Sequence, residues 1–122
     1  MPRSMLLHPR RFAIIGALWQ SAETPVAVIE ADRSYADVND AFCELNGYTR
    51  EEMLRMRAGD LTAVAEAPVA SLFEKVSRHW SVTTRIRLRR KDGSCVNVTV
   101  RAYRCSGAVG HLVVAVFSNA RG

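Results

Sequence analysis

Apolar residues along this chain follow two periods. Ala41, Phe42 and Leu45 are spaced one, three and four apart, so a helix is predicted from about Asn39 to Asn46. Gly47 tolerates positive φ and ends it. Thr49 and Glu52 form the Thr-x-x-Glu of a capping box, so a second helix starts at once, from about Arg50 to Met56. Residues 57–67 read as irregular, with a turn after Asp60. A longer helix starts near Pro68, with Val69, Leu72, Phe73, Val76 and Trp80 on one face and His79 beside it. Then the period drops to two. Thr84, Ile86 and Leu88 point one way, and Arg85, Arg87 and Arg89 the other. Asp92-Gly93 marks a hairpin turn. Val96, Val98, Val100 and Ala102 alternate in the next strand, and a turn begins at Ser106-Gly107. His111 to Phe117 is nearly all apolar, as in a strand covered on both faces.

Upstream, Pro25 to Ala31 reads as a strand, the polar turn Asp32-Arg33-Ser34 follows, and Tyr35 to Val38 is a second short strand. Near the N-terminus, Phe12, Ile15 and Trp19 share a helical face with Ile14 and Leu18 beside it, and Thr24-Pro25 ends that helix. The order is helix, two strands, several helices, three antiparallel strands. The fold class is α+β: one antiparallel sheet with helices gathered on one face. Residues 1–24 form an extension with an amphipathic helix, and 25–119 form one domain.

Two short helices at an angle can cup over a sheet where one straight helix cannot. The space beneath them is filled by side chains or by a small molecule. The residues placed to line it are Phe42, Leu45, Leu54, Leu61, Leu72, Phe73, Val76, Ile86, Val98 and Val114. The bland alternative is that they are ordinary core.

Composition narrows the class further. The chain has 122 residues, 48% hydrophobic and 24% charged, with a formal net charge of +5. That suits one soluble globular domain with a modest core. Cys43, Cys95 and Cys105 are odd in number and lack metal-like spacing, which fits a reducing, cytoplasmic compartment. The start MPRSMLLHPRRFAIIGALWQ imitates an export signal, but its apolar run is short and Gln20 follows directly. No segment is long enough to span a membrane.

VNDAFCELNGYTREEM, Val38 to Met53, resembles the Asn-x-Ala-Phe, Gly-Tyr, Ser/Thr-x-Glu-Glu succession of the PAS sensor domain family. RRKDGSCVNVTV, Arg89 to Val100, resembles its Arg-Lys-Asp-Gly hairpin and alternating strand. The first hairpin departs from the pattern, with Glu30 and Arg33 where the family commonly has Asp and then Gly. The resemblance runs from Pro25 to about Ser118. It implies a five-stranded antiparallel sheet with helices on one face, and a sensory or dimerising domain that regulates an effector. It also implies that a flanking helix pairs in a homodimer, here through Phe12, Ile15, Leu18 and Trp19.

The cofactor is left open. Flavin-binding members carry Asn-Cys-Arg-Phe-Leu after the helix pair. Here Leu54 to Thr62 reads LRMRAGDLT, without cysteine, which argues against a flavin photoadduct. Haem-binding members use a histidine on the long helix, where His79 lies; the bland reading is a histidine at a helix C-terminus. Asp37, Asp40 and Glu44 cluster in sequence, but no nucleophile or relay accompanies them, and no enzymatic activity is expected. Arg85, Arg87, Arg89, Arg90, Lys91, Arg101 and Arg104 make a basic sheet surface. Without interleaved aromatic residues it suits an acidic protein better than nucleic acid. Asn39 is expected to cap its helix, with Asn39→Ala costing on the order of 1 kcal/mol.

The expected function is sensing a small apolar ligand, or dimerising, and relaying a signal to an effector domain. The alternative is a pure interaction module with a filled core.

Overall fold

The computed structural model describes residue 19 and residues 23–62, 67–107 and 110–119. Strands β1 (Val26–Glu30) and β2 (Tyr35–Val38) are followed by helices α1 (Asp40–Asn46) and α2 (Arg50–Met53). A 3-10 turn (Ala58–Leu61), helix α3 (Ala67–Arg78) and strands β3 (Ser81–Arg89), β4 (Cys95–Gly107) and β5 (Gly110–Asn119) complete the order. The strands form one antiparallel sheet ordered β2-β1-β5-β4-β3. The last strand therefore lies in the middle, between the first and the fourth. That position is why Leu112 to Ala115 are all buried.

Alternation divides the sheet into two faces. Ala27, Ile29, Val98, Val100, Ala102, Val113, Ala115 and Phe117 join Phe42, Met53, Leu61, Leu72, Val76 and Leu88 in the main core, beneath the helices. Val26, Val28, Cys105, Leu112 and Val114 form a second cluster, on which Trp19 packs. Phe42 is fully buried and stacks against Phe117 at 4.8 Å and Tyr35 at 5.7 Å. Burying one such ring contributes roughly 2–3 kcal/mol.

The helix break follows from its signals. Gly47 sits at φ 80, the left-handed region, and its N–H closes α1 onto the carbonyl of Cys43. Thr49 and Glu52 then form the complete capping box of α2. Arg50 pairs with Asp37 of β2 at 2.8 Å, and Lys91 of the β3–β4 turn pairs with Glu52 at 2.7 Å. The short helix is thus pinned from two sides.

Three elements differ from the sequence expectation. Helix α3 ends at Arg78, so Trp80 is not on its apolar face but lies beyond it, 61% exposed. Helix α2 stops at Met53 rather than Met56, because Arg55 and Met56 donate to Glu52 and Met53, three residues back. That tightened turn frees the Met56 carbonyl to accept from Tyr35 N–H. Strand β4 continues through Ser106-Gly107, since the ladder to β5 holds as far as Gly107 opposite Gly110. In the β1–β2 turn Arg33 takes φ 74. Its guanidinium lies over the Phe73 ring of α3 at 5.7 Å, and its carbonyl accepts from Ala58 N–H.

Candidate functional site

Asn39 sits where the entering chain, the sheet and α1 meet, and it is 3% exposed. Its Oδ1 accepts from Phe42 N–H at 2.9 Å, which is the expected helix cap, and also from Val26 N–H at 2.9 Å. Its Nδ2 donates to the carbonyls of Thr24 at 2.8 Å and Trp19 at 3.1 Å. All four of its hydrogen-bonding positions are used. The expected cost of about 1 kcal/mol for its removal was set by the cap alone and is too low.

The same junction borders a cleft of about 540 Å³. Glu23, Thr24 and Pro25 line it from the entering chain, and Ala41, Glu44 and Leu45 from α1. Val98 of β4 and Val116, Phe117 and Ser118 of β5 complete the lining. A volume of this size accommodates a small molecule. Its lining is mixed: Ala41, Leu45, Val98, Val116 and Phe117 are apolar, and Thr24, Ser118 and the exposed Glu23 and Glu44 are polar or acidic.

Of the ten residues predicted for a pocket, Leu45 and Val98 line this cleft. Phe42, Leu61, Leu72, Val76 and Val98 belong to the packed main core, with Leu45, Leu54, Phe73 and Ile86 half-buried against it. Val114 is a correction. It faces the other side of the sheet, with Val26, Val28 and Cys105, and cannot join the rest. The other eight lining residues, Glu23, Thr24, Pro25, Ala41, Glu44, Val116, Phe117 and Ser118, were missed. Nothing local marks them, because the cleft exists only where chain segments far apart in sequence converge.

Phe12, Ile15 and Leu18, predicted for a dimer interface, lie outside the described residues. Trp19 is half-buried and packs against its own sheet. His79 is exposed, just past the end of α3, with its N–H bonded to the Lys75 carbonyl. Asp37 is committed to Arg50, while Asp40 and Glu44 are exposed. Burial, and then the Asp40 carboxylate, push the Cys43 thiol up, so it stays protonated. Among the described residues no group of His, Cys, Asp and Glu side chains could hold a metal ion, and no helix is long and apolar enough to cross a membrane.

A family profile described as a PAS domain matches residues 24–119. The fold is similar to a PAS domain from a two-component sensor histidine kinase, with TM-score 0.76 and 18% identity over 92% of this chain and 98% of the other. It is equally similar to the PAS domain of an HTR-like protein from Haloarcula marismortui, with TM-score 0.76 and 20% identity over 92% and 93%. A domain of the sensory box sensor histidine kinase/response regulator from Geobacter sulfurreducens gives 0.73 and 20% over 89% and 94%. No curated protein matches the chain.

Proposed function

The chain belongs to the PAS domain family, and on that premise we propose that it is a sensory and regulatory domain whose signal passes through the Asn39 junction. One observation carries this reading. The segment 23–25 both lines the cleft and is tied, through Thr24, to the side chain that caps α1. A small ligand with an apolar body and a cationic or hydrogen-bond-donating end suits the apolar side chains of the lining and the Glu44 carboxylate. Its occupancy would favour one placement of 23–25 relative to α1, which is a population shift reaching the entering chain. The effector is a separate regulatory domain or protein, and the working unit is a homodimer.

A second reading has its own observation. The Tyr35, Phe42 and Phe117 rings fill the space under α1, as in a pure interaction module. Native mass spectrometry of the purified chain, with an absorbance spectrum on the same sample, separates the two. The expected result is an added small-molecule mass that Leu45→Trp removes while the fold persists by circular dichroism. A bare chain, with a melting temperature unmoved by a panel of small amines, overturns ligand sensing and favours the interaction module.

A further inference from the structure

The chain has four asparagines, Asn39, Asn46, Asn97 and Asn119, and Asn46 alone is followed by a glycine. In an Asn-Gly pair the following main-chain nitrogen has no Cβ beside it, so it reaches the carboxamide carbon without hindrance. Asn46 is the last residue of α1 and is fully buried. Its Nδ2 donates to the Phe42 carbonyl at 2.9 Å, while its Oδ1 has no hydrogen-bond partner among the described residues. Drawing this side chain from its site therefore breaks a single hydrogen bond, whereas the Asn39 carboxamide is held at both ends. The neighbouring nitrogen is restrained too, because Gly47 N–H donates to the Cys43 carbonyl at 2.8 Å. The β3–β4 turn clamps the end of the helix. Arg90 Nε donates to the Leu45 carbonyl and Lys91 N–H to the Asn46 carbonyl, each at 2.9 Å.

We propose that Asn46 is a self-modification site and that the β3–β4 turn gates it. When the end of α1 opens, the Gly47 nitrogen is released from Cys43, gives its proton to a solvent base and attacks Asn46 Cγ. A new C–N bond closes a succinimide ring, the Cγ–Nδ2 bond breaks, and Nδ2 takes up a proton and leaves as ammonia. Water then opens the ring at either carbonyl, giving aspartate or isoaspartate at position 46. Water is the only co-reactant, and nothing is oxidised or reduced. Either product alters the junction permanently. Aspartate places an oxygen where Nδ2 donated to the Phe42 carbonyl, and a carboxylate in a fully buried position. Isoaspartate adds a methylene to the main chain between α1 and its Gly47 cap. The outcome is a one-way loosening of the helix pair, at a rate set by how often the end of α1 opens locally.

The test is peptide mapping by mass spectrometry of the full chain after incubation in mildly alkaline buffer, both folded and in urea. Asn46 should convert slowly in the folded chain and faster in urea, ahead of Asn97 and Asn119 in both. Arg90→Ala removes the clamp on Leu45 and leaves the Asn-Gly pair intact. It should speed conversion of the folded chain roughly tenfold, as expected for losing a hydrogen bond from a charged donor. Hydrogen exchange at Gly47 should rise by the same factor, which ties the rate to opening of the cap. Arg90→Leu serves the same purpose if Arg90→Ala fails to fold by circular dichroism. Conversion at Asn97 or Asn119 before Asn46, equal rates in the wild type and the Arg90 variant, or a folded rate equal to that in urea would each overturn the proposal. So would intact Asn46 in both folded proteins after the chain in urea has converted completely.

Discussion

Both ends of the Asn39 carboxamide are occupied, so its substitutions should differ in kind. Asn39→Ala removes the cap and leaves Val26 N–H and the Thr24 carbonyl without their partner. It should cost about 2–4 kcal/mol, measured by urea unfolding. Asn39→Asp keeps both accepted bonds but turns an oxygen toward the carbonyls of Thr24 and Trp19. It should cost less, while hydrogen exchange at Glu23 and Thr24 speeds up. Equal exchange in the two proteins would show that the junction does not hold the entering chain. The cap was legible because its partner lies three residues away. The Val26 and Trp19 bonds span 13 and 20 residues, and no local pattern announces them. Arg33 makes a second comparison possible. Its left-handed backbone costs about 1–2 kcal/mol in a residue with a side chain, and its contact with Phe73 returns about 0.5–1 kcal/mol. Arg33→Gly relieves the first and loses the second, whereas Arg33→Ala only loses. Thermal melts should therefore rank Gly above Ala.

Helix α2 has one turn of its own hydrogen bonding, too little to persist alone. Its capping box and its ties to β2 and to the β3–β4 turn hold it. The box and the Asp-Gly turn were readable from sequence, but the Lys91 to Glu52 bond crosses 39 residues and was not. That bond has a pH signature. Lys91, followed by the Thr49 N–H, holds the Glu52 carboxyl below its ordinary 4.5. Ser34 and Ser94 similarly lower Asp32 and Asp92 below 3.8. A depressed carboxyl contributes its stability in full above the ordinary value, and loses it as pH falls through the lower folded value. Glu52→Gln retains an acceptor for the box but carries no charge. Its stability should fall less than wild type between neutral pH and the acid limb, measured by urea unfolding across pH. Parallel curves would mean the exposed pair contributes nothing, as many such pairs do.

At the scale of the molecule, what the sequence left open was which face each residue of β5 serves. An unbroken apolar run carries no alternation, so Val114 could be assigned to either side. Pairing with β1 and β4 decides it, putting Val114 with Val26 and Val28 and leaving Val113, Ala115 and Phe117 for the helix side. The order of elements and the helix layer were legible because each has a local period. The cleft was not, because it forms where the entering chain, α1 and the ends of β4 and β5 converge. Val98 belongs to both regions: it is 1% exposed in the core and also lines the cleft. A larger ring there must go somewhere. Forced wholly into the packed core, it would cost about 1–3 kcal/mol. With the cleft beside it, Val98→Phe should sit at the low end, near 1 kcal/mol by urea unfolding, because the ring can occupy space left by other segments. It should then compete with a ligand for that space, and any added mass seen for the wild type by native mass spectrometry should disappear. A cost near the upper end with the added mass retained would place the ring in the core and the ligand elsewhere, and the cleft would lose its role as the sensing site.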